Sequence, residues 1–286
     1  MMLNTKKKIL IVGLGLIGGS YARAFTKLGF EVSAITRSQS SIDYALNEGI
    51  IAHGATTPDP ALLGEAELII FSLYPTVFIE WIKENQHLLK SGALLTDVTG
   101  VKKRVVYDIQ SILRKDVEFI AAHPMAGKEV YGVENSDERI FHGANYIVTP
   151  TENNTEEAIK SCLEIGRLLG FGKVCVLPPE KHDDMIGFVS QLTHCIAVAL
   201  MTCYDDSEKL QDYTGDSFRD LTRIARINDE MWSELFLMNK EPLLSQMDRF
   251  LDQFNRLREH LQDEDREAMR EMMRISTARR SLFDKK

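Results

Sequence analysis

The feature that most constrains this chain is a glycine-rich turn near its start, directly after a short apolar run. The run Lys8–Val12 is typical of a buried strand, and Gly13, Gly15 and Gly18 follow with the spacing G-x-G-x-x-G. The first glycine permits a tight turn, the second lets the backbone approach a pyrophosphate, and the third allows a helix to pack closely on the strand. An amphipathic segment over residues 20–28 continues the helix. Because the free N–H groups of a helix N-terminus favour phosphate, the pattern predicts dinucleotide binding.

In this turn, the residues that we predict to contact the dinucleotide are Gly13, Gly15, Leu16, Ile17 and Gly18. Two other interpretations of the segment carry less weight. A strand-to-helix turn without a ligand would have the same glycines, but the second apolar strand over residues 30–35 fits a nucleotide-binding unit. A secretory signal would not be followed directly by a new strand pattern.

Composition excludes several classes of function. The 286 residues carry a formal net charge of −8, whereas a nucleic-acid surface is normally basic, so no nucleic-acid partner is expected. No apolar run is long and clean enough to suggest a membrane span; residues 188–201 come closest, but polar residues interrupt them. The four cysteines lack C-x-x-C spacing, which predicts free thiols, no metal site and a cytoplasmic location.

Hydrophobic patterning divides the chain into two parts. Candidate strands cover residues 8–12, 30–35, 68–73, 93–98, 117–122, 145–148 and 173–177. Helical segments separate them, and this alternation predicts an α/β fold with a Rossmann-type, doubly wound, mostly parallel sheet. The pattern is helical from Pro178 onward, so we predict a dinucleotide-binding domain over residues 1–177 and an all-helical domain over residues 178–286. The helical domain is apolar enough to suggest that part of it is buried in a homodimer interface.

Residues that follow the strands are candidates for the functional site, because ligands of open α/β sheets bind beyond the carboxyl ends of the strands. His123 ends a strand and precedes a proline. An imidazole titrates near neutral pH, so His123 is our candidate general base; a histidine that merely bonds a loop carbonyl is the alternative. Leu73 and Asp97, at the ends of two other strands, are predicted to contact the cofactor.

The end of the second strand bears on the choice between NAD and NADP. NAD sites usually place Asp or Glu there to hold the ribose 2′-hydroxyl, whereas this chain has Thr36, Arg37 and Ser38. A guanidinium and two hydroxyls suit a 2′-phosphate. We therefore predict a nicotinamide cofactor with NADP favoured over NAD, the alternative being that Arg37 is only a solvated surface residue.

Five segments together resemble the prephenate dehydrogenases of tyrosine biosynthesis. They cover residues 12–20, 96–102, 122–127, 143–150 and 218–225. Two motifs give the resemblance its specificity: H-P-M-A-G beginning at His123, and T-R-I-A beginning at Thr222, in this order after a dinucleotide fingerprint. The resemblance extends over nearly the whole chain.

The resemblance implies an oxidoreductase that converts prephenate to 4-hydroxyphenylpyruvate, with hydride transfer to NAD(P) and loss of CO₂. It assigns His123 as the base for the ring hydroxyl and Arg223 as the partner of a substrate carboxylate. A guanidinium suits the second role because it stays charged and can bind a carboxylate through two parallel bonds. The implied substrate-binding residues are His194, Arg223, Glu129, Thr99, Gly100 and Gln191. Trp232 lies where the family often has an aromatic residue.

Ordinary structural roles would also explain these residues. Arg223 could pair with Asp220 three residues earlier, and His194 could be a hydrogen-bonded core histidine. Glu129 could be a loop carboxylate and Trp232 a core residue. The consecutive His-Asp-Asp at 182–184 suggests the cap of a helix after two prolines rather than a metal site.

Two positions depart from the family pattern. Gly100 stands where many relatives have a serine, and Gln191 where many have a second histidine. Thr99 is a candidate to supply the missing hydroxyl from the adjacent position. These departures concern the placement of the substrate and leave the reaction class unchanged.

Three other functions remain open at this point. An arogenate dehydrogenase differs only in an amino group on the substrate side chain, and no residue decides between the two substrates. A β-hydroxyacid dehydrogenase-like reductase would typically use a lysine in the first helix of the second domain, but residues 183–203 contain none. A non-catalytic, nucleotide-sensing dimer would bind the cofactor without turnover.

Overall fold

The computed structural model describes residues 4–128, 130–204 and 209–283. The strands of its larger sheet are β1 (Lys8–Val12), β2 (Glu31–Ile35), β3 (His53–Ala55), β4 (Leu68–Phe71), β5 (Leu94–Asp97) and β6 (Glu118–Phe119). All six are parallel, in the order β3-β2-β1-β4-β5-β6. The strand order reverses between β1 and β4, which is where a crevice for ligands opens in doubly wound sheets. The predicted Rossmann-type α/β fold is confirmed.

A second, smaller sheet contains β7 (Ala121–Met125), β8 (Asn145–Thr149) and β9 (Lys173–Val176). β7 runs antiparallel to β8, and β8 runs parallel to β9. The sequence predicted one strand over residues 117–122, but the structure has two there: β6 belongs to the larger sheet and β7 to the smaller one. The N–H of Ile120 still bonds the carbonyl of Leu95 at 3.0 Å, and the chain leaves the larger sheet immediately afterwards.

Helices connect the strands and form the rest of the chain. Those among the strands are α1 (Leu16–Lys27), α2 (Gln39–Asn47), α3 (Pro60–Glu65), α4 (Pro75–Asn85), α5 (Lys103–Ile112) and α6 (Glu156–Leu168). Those that follow are α7 (Pro179–Ile186), α8 (Thr193–Thr202), α9 (Asp216–Thr222), α10 (Asp229–Met238), α11 (Lys240–Gln262) and α12 (Arg266–Arg280). Over residues 177–204 and 209–283 the chain contains no strand, as the pattern predicted.

Apolar side chains cover both faces of the larger sheet, as expected for parallel strands that have helices on each side. On one face, Ile11 belongs to the same buried cluster as Phe25 of α1. On the other, Leu10 shares a cluster with Phe78 of α4 and with Leu235 of α10. Helix α10 therefore packs against the core of the strand-rich part, and this contact joins the two parts of the chain.

The first helix after the strands is long and apolar. α7 continues through a π-helical turn (Gly187–Leu192) into α8, so that one helical segment spans Pro179–Thr202. By length and composition alone, these 24 residues could cross a membrane: the mean hydropathy of their apolar stretch is 1.6, and 28% of that stretch is buried. The expectation that no run would be long and apolar enough was wrong on this criterion, because the polar residues that interrupt the run are uncharged. A helix in the core of a protein can have the same length and composition.

Helix α11 carries a second apolar surface. Its exposed apolar side chains are Leu244, Leu251, Phe254, Leu257 and Leu261. Steps of seven, three and four residues place these side chains on one helical face. Exposed apolar faces of this kind are typical of interfaces between chains.

The glycine-rich turn between β1 and α1 has the geometry that its spacing predicted. Gly13 adopts a φ of +95°, and a Cβ atom there would lie 2.2 Å from the carbonyl oxygen of Ser72. A Cβ at Gly18 would lie 2.0 Å from the carbonyl oxygen of Gly13. Around Gly15, in contrast, nothing lies within 4 Å of the Cβ position. No side chain caps the N-terminus of α1, which leaves its first N–H groups without a side-chain partner.

Two alanine substitutions separate these roles. We expect G18A to lower the free energy of unfolding by about 1–3 kcal/mol, because the added methyl group overlaps the backbone. G15A should keep the stability of the unmodified chain but weaken dinucleotide binding, because the methyl group enters the space that the turn leaves open. Chemical denaturation and titration with NAD and NADP measure the two effects. Unchanged dinucleotide affinity in G15A would contradict this assignment.

Candidate active site

Three neighbouring strands of the larger sheet end at the same level. Val12 of β1 is in register with Phe71 of β4, and Phe71 is in register with Asp97 of β5. The glycine turn follows β1 directly, and the Cβ position of Gly13 lies 2.9 Å from a methyl carbon of Leu73. Leu73 thus contacts the turn predicted to hold the pyrophosphate. This edge of the sheet is where the strand-end argument places a ligand.

His123 lies on β7, beside the end of β5. The Asp97 side chain accepts a 3.1 Å hydrogen bond at Oδ1 from the backbone N–H of Ala122, the residue before His123. On the other side of β7, His123 pairs with Ile147 of β8. The strand that carries His123 is therefore bonded to both sheets, and His123 lies near the carboxyl edge of the larger sheet.

A second histidine and a carboxylate extend inward from His123. Nδ1 of His123 lies 2.9 Å from Nε2 of His182, and Nδ1 of His182 lies 2.7 Å from Oδ1 of Asp183. An ionised carboxylate only accepts, so we assign the proton of His182 to Nδ1, and its Nε2 accepts from Nδ1–H of His123. This pattern leaves the lone pair of His123 on Nε2. The carboxylate thus determines which nitrogen of His123 is basic.

Asp183 is itself held by the start of another helix. Its Oδ1 and Oδ2 atoms accept hydrogen bonds of 2.8 and 2.9 Å from the backbone N–H groups of Lys102 and Lys103, at the N-terminus of α5. The interpretation of residues 182–184 as a cap of their own helix was wrong, because α7 begins at Pro179 and Asp183 bonds the first N–H groups of α5 instead. Within the described residues, no group of three potential ligands is placed to hold a metal ion.

Burial controls the protonation of the two histidines. It lowers the pKa of His123 well below the ordinary value, and the positive charges of His182 and Lys102 would act in the same direction. Burial also lowers the pKa of His182, while the Asp183 carboxylate opposes the shift. Both rings are therefore neutral near pH 7, as a proton-accepting His123 requires.

Asp97 and Thr99 lie beneath the site surface. Asp97 is fully buried and forms a 2.7 Å ion pair with the fully buried ammonium group of Lys102. The Thr99 hydroxyl bonds the Asp97 carboxylate and lies 2.9 Å from the carbonyl oxygen of Val101. The sequence predicted Asp97 as a cofactor contact and Thr99 as a substitute for the family serine, whereas in the structure the polar atoms of both side chains bond groups within the protein.

Gly100 occupies the position at which many relatives have a serine. A Cβ atom at this position would lie 3.5 Å from a methyl carbon of Leu235, which is ordinary van der Waals contact. The backbone at Gly100 would thus accept a serine side chain. The absence of the serine hydroxyl therefore does not reflect a different backbone path.

Helix α10 contacts the predicted substrate-side residues of the long apolar helix. His194 stacks on Trp232 with ring centroids 3.8 Å apart, and its Nδ1 lies 2.9 Å from the carbonyl oxygen of Ser190. Gln191 is buried and donates a 3.0 Å hydrogen bond to the carbonyl of Leu235. The prediction that Gln191 binds substrate is not supported by this geometry, because its amide joins two helices.

Arg223 begins a short 3₁₀ helix (Arg223–Ala225) that packs against α8, the helix that carries His194. Its side chain is exposed, and it lies on a turn after α9 rather than within a long helix. Glu129, predicted at the mouth of the pocket, lies outside the described residues.

On the cofactor side, Leu16 and Ile17 form the half-buried first turn of α1, next to Gly15. At the end of β2, Thr36 is half-buried and Arg37 is exposed. The hydroxyl of Ser38 caps α2 by accepting a 3.2 Å hydrogen bond from the N–H of Ser41. Arg37 is thus positioned next to a helix N-terminus, a combination that suits an anionic group.

The sequence pattern did not predict the site contacts of three residues: Lys102, His182 and Asp183. His182 lies 59 residues after His123 in the chain, and Asp183 lies 81 residues after Lys102, so no local pattern links them. The sequence held one indication of a paired side chain: Lys102 is a charged residue close to the end of a buried strand. Charged side chains in such positions are rarely buried unless they are paired.

Comparisons with known proteins agree on one family. A model of the prephenate dehydrogenase nucleotide-binding domain matches residues 21–176, and one of the prephenate dehydrogenase dimerization domain matches residues 178–275. A prephenate dehydrogenase of Bacillus subtilis (strain 168) is 31% identical over 276 residues, which cover 93% of this chain and 73% of that protein. A prephenate dehydrogenase of Lactococcus lactis subsp. cremoris (strain MG1363) is 32% identical over 251 residues, covering 85% and 68%.

A solved structure shows the same likeness over the full length. It is the prephenate dehydrogenase of A. aeolicus in complex with hydroxyphenyl propionate and NAD+. The TM-score is 0.90 at 31% identity, and the match covers 99% of this chain and 100% of that chain.

The depressed pKa values of the two histidines predict a pH-dependent stability. Below about pH 6.5 the unfolded chain binds more protons than the folded chain, so the stability present above this pH is lost as the pH falls. We expect the free energy of unfolding to drop between pH 7 and pH 5, by up to about 1.4 kcal/mol per pH unit for each histidine. H123Q should reduce this slope, whereas H87Q, at an exposed histidine, should retain it. Denaturation curves across this range provide the test, and equal slopes in H123Q and the unmodified chain would contradict it.

Proposed function

The chain belongs to the prephenate dehydrogenase family, and we propose that it catalyses the oxidative decarboxylation of prephenate to 4-hydroxyphenylpyruvate with a nicotinamide dinucleotide as oxidant. The observation that carries this proposal is the hydrogen-bonded chain of His123, His182 and Asp183 at the carboxyl edge of the nucleotide-binding sheet. It leaves one half-buried, neutral imidazole with a basic nitrogen beside the predicted position of the oxidant.

The residues around the glycine turn fit the cofactor. The uncapped N-terminus of α1 and the open space at Gly15 would receive the pyrophosphate, and Leu73 would line the adjoining wall. When bound, the nicotinamide supplies a two-electron acceptor for the hydrogen of the ring carbinol carbon. Charges that develop next to the buried His182 are less screened than in water, which strengthens their interaction with the Asp183 carboxylate.

His123 handles the proton of the ring hydroxyl. Its Nε2 accepts that proton as the carbinol carbon is oxidised, and the positive charge that forms is stabilised through His182 by the Asp183 carboxylate. Loss of CO₂ from the oxidised ring leaves its electron pair in the new aromatic ring and negative charge on the same oxygen. His123 then returns the proton to that oxygen, which becomes the phenol, so atoms and charge balance.

Arg223 and His194 are proposed to hold the substrate from the helical side. Arg223 would bind a carboxylate of the substrate, since a guanidinium offers two parallel donors and remains charged. Its 3₁₀ helix packs against α8, which supports a joint role with His194. Glu129 is proposed at the mouth of the same pocket on the strength of the family resemblance alone.

We propose NADP as the favoured cofactor. Support comes from the exposed Arg37 beside the N-terminus of α2 and from Thr36 where NAD sites usually place an acidic residue. The A. aeolicus relative was solved with NAD+, so the two cofactors need direct comparison.

The remaining proposals concern organisation. We propose that residues 1–177 bind the cofactor and that residues 178–286 complete the substrate site and pair with a second copy of the chain. The change from sheets to helices after Val176 and the exposed apolar face of α11 support this division. The four free cysteines are consistent with a cytoplasmic location.

One assay tests the function and the choice of ligands. Purified chain is mixed with prephenate or arogenate, each with NAD or NADP, and the absorbance of reduced nicotinamide is followed. We expect turnover with prephenate, faster with NADP than with NAD. Turnover with arogenate alone would identify an arogenate dehydrogenase, and cofactor binding without turnover would favour a nucleotide-sensing dimer.

In the same assay, H123N should reduce kcat at least about 100-fold, because it removes the general base. Its cofactor affinity should stay within about twofold of the unmodified chain, since His123 does not form the glycine turn. Unchanged turnover in this variant would show that the base is another group.

R223A should raise the KM for prephenate by about 10- to 100-fold, the loss expected when one charge-assisted contact is removed. R219A provides the matched control, because Arg219 lies on α9, is exposed and pairs with Asp216. Its KM should stay within about twofold of the original value. An equal effect of the two substitutions would exclude a specific carboxylate contact by Arg223.

A further inference from the structure

Helix α10 lies between the predicted cofactor site and the predicted substrate site. Leu235, 8% exposed, belongs to the buried cluster of the larger sheet and is the nearest neighbour of the Gly100 position. Trp232, three residues earlier, stacks on His194. One helix thus contacts both parts of the chain, and a displacement of α10 would move both contacts.

Two hydrogen bonds attach α10 to the turn between β4 and α4. Nδ2 of Asn228 donates to the hydroxyl of Tyr74 at 3.0 Å. The backbone N–H of Thr76 donates to Oε1 of Glu234 at 2.6 Å. Tyr74 occupies the cap position of α4 but its side chain does not cap the helix, so Glu234 supplies a carboxylate to the positive end of α4 from across the interface.

This turn also contacts the cofactor side. Ser72 and Leu73, the two residues before Tyr74, pack directly against Gly13. They lie so close that a Cβ atom at Gly13 would overlap them. A dinucleotide seated on the glycine turn therefore contacts the segment whose next residues hold α10. Asn228 also caps α10, because its side-chain oxygen accepts a 2.9 Å hydrogen bond from the N–H of Met231. Tyr74 therefore positions Asn228, and Asn228 positions the first turn of α10, which carries Trp232.

We propose that Tyr74 and Asn228 are positioning residues that couple the two ligands, so that a bound dinucleotide orders α10 and thereby strengthens binding of the aromatic ligand at the His194–Trp232 pair. The identity of the two ligands rests on the proposed function. Linkage makes the effect reciprocal, because each ligand must strengthen the other by the same factor. Glu234 supports the same attachment from the second turn of α10.

The first experiment uses the dinucleotide alone. Hydrogen exchange over residues 229–238 is measured with and without saturating NADP, or NAD if it binds more tightly. We expect the dinucleotide to slow exchange of α10 in the unmodified chain and to have little effect in Y74F. N228S should behave like Y74F, because serine still caps the helix but cannot reach the Tyr74 hydroxyl. Equal protection in all three proteins would overturn the proposal.

The second experiment measures the coupling between the ligands by calorimetry. The dissociation constant of 4-hydroxyphenylpyruvate is determined with and without saturating dinucleotide, and their ratio is the coupling factor. Y74F should reduce this factor about 3- to 10-fold, the effect of one lost hydrogen bond, and the Y74F/N228S double variant should reduce it no further. An unchanged factor in Y74F, or a factor of one in the unmodified chain, would overturn the proposal.

Y107F provides the matched control. The Tyr107 hydroxyl also joins the two parts of the chain, through a 2.8 Å hydrogen bond to Glu180, but it does not contact the turn after β4. Its coupling factor should equal that of the unmodified chain, and a reduction as large as in Y74F would contradict a specific role for Tyr74. A chain that fails to bind 4-hydroxyphenylpyruvate but retains dinucleotide-dependent protection of α10, lost in Y74F, would contradict the proposed function and still support the first step of the coupling, the ordering of α10 by the dinucleotide.

Discussion

The buried ion pair between Lys102 and Asp97 is the interaction on which the geometry of the site depends. Asp97 reaches Ala122 and so holds the strand that carries His123, while the backbone of Lys102 reaches Asp183. The bond from Asp183 through His182 to His123 closes a ring of contacts. Removing two charges from water costs several kcal/mol per ion, so such a pair is retained only where its hydrogen bonds are satisfied. Here the further bonds of Asp97 and Lys102 also position the strand of His123 and the Asp183 carboxylate.

The fold followed from the sequence because its signals are local. Glycine spacing and apolar runs are short-range patterns, and they predicted the turn at Gly13 and the parallel strands. His123 could also be found in this way, since its position after a strand is local information. His182 and Asp183 could not, because their roles arise only when α7 packs against α5. The small sheet was missed for a similar reason: the crossing at Ile120 depends on pairing with β8, which comes later in the chain.

Thr99 and Gln191 show a different limit. Both have the polar groups that a substrate site needs: Thr99 is adjacent to the position of the family serine, and Gln191 stands where the resemblance implies a histidine. In the folded chain the Thr99 hydroxyl bonds Asp97 and Val101. The Gln191 amide bonds Leu235 and Asn239. A buried polar side chain is usually bonded within the protein, so burial decides whether a polar residue is available to a ligand. Burial is a tertiary property, which residue type and position along the chain do not reveal.

The π-helical turn at Gly187–Leu192 has a consequence for how such a site can change over evolutionary time. A π turn accommodates an additional residue within an otherwise α-helical segment. In a regular α-helix, each added residue would rotate everything after it by about 100° around the helix axis. The π turn absorbs such a residue, so the side of α8 that meets Trp232 keeps its direction. Gain or loss of a single residue here could therefore change the length of the segment while leaving the contact between α8 and α10 in place.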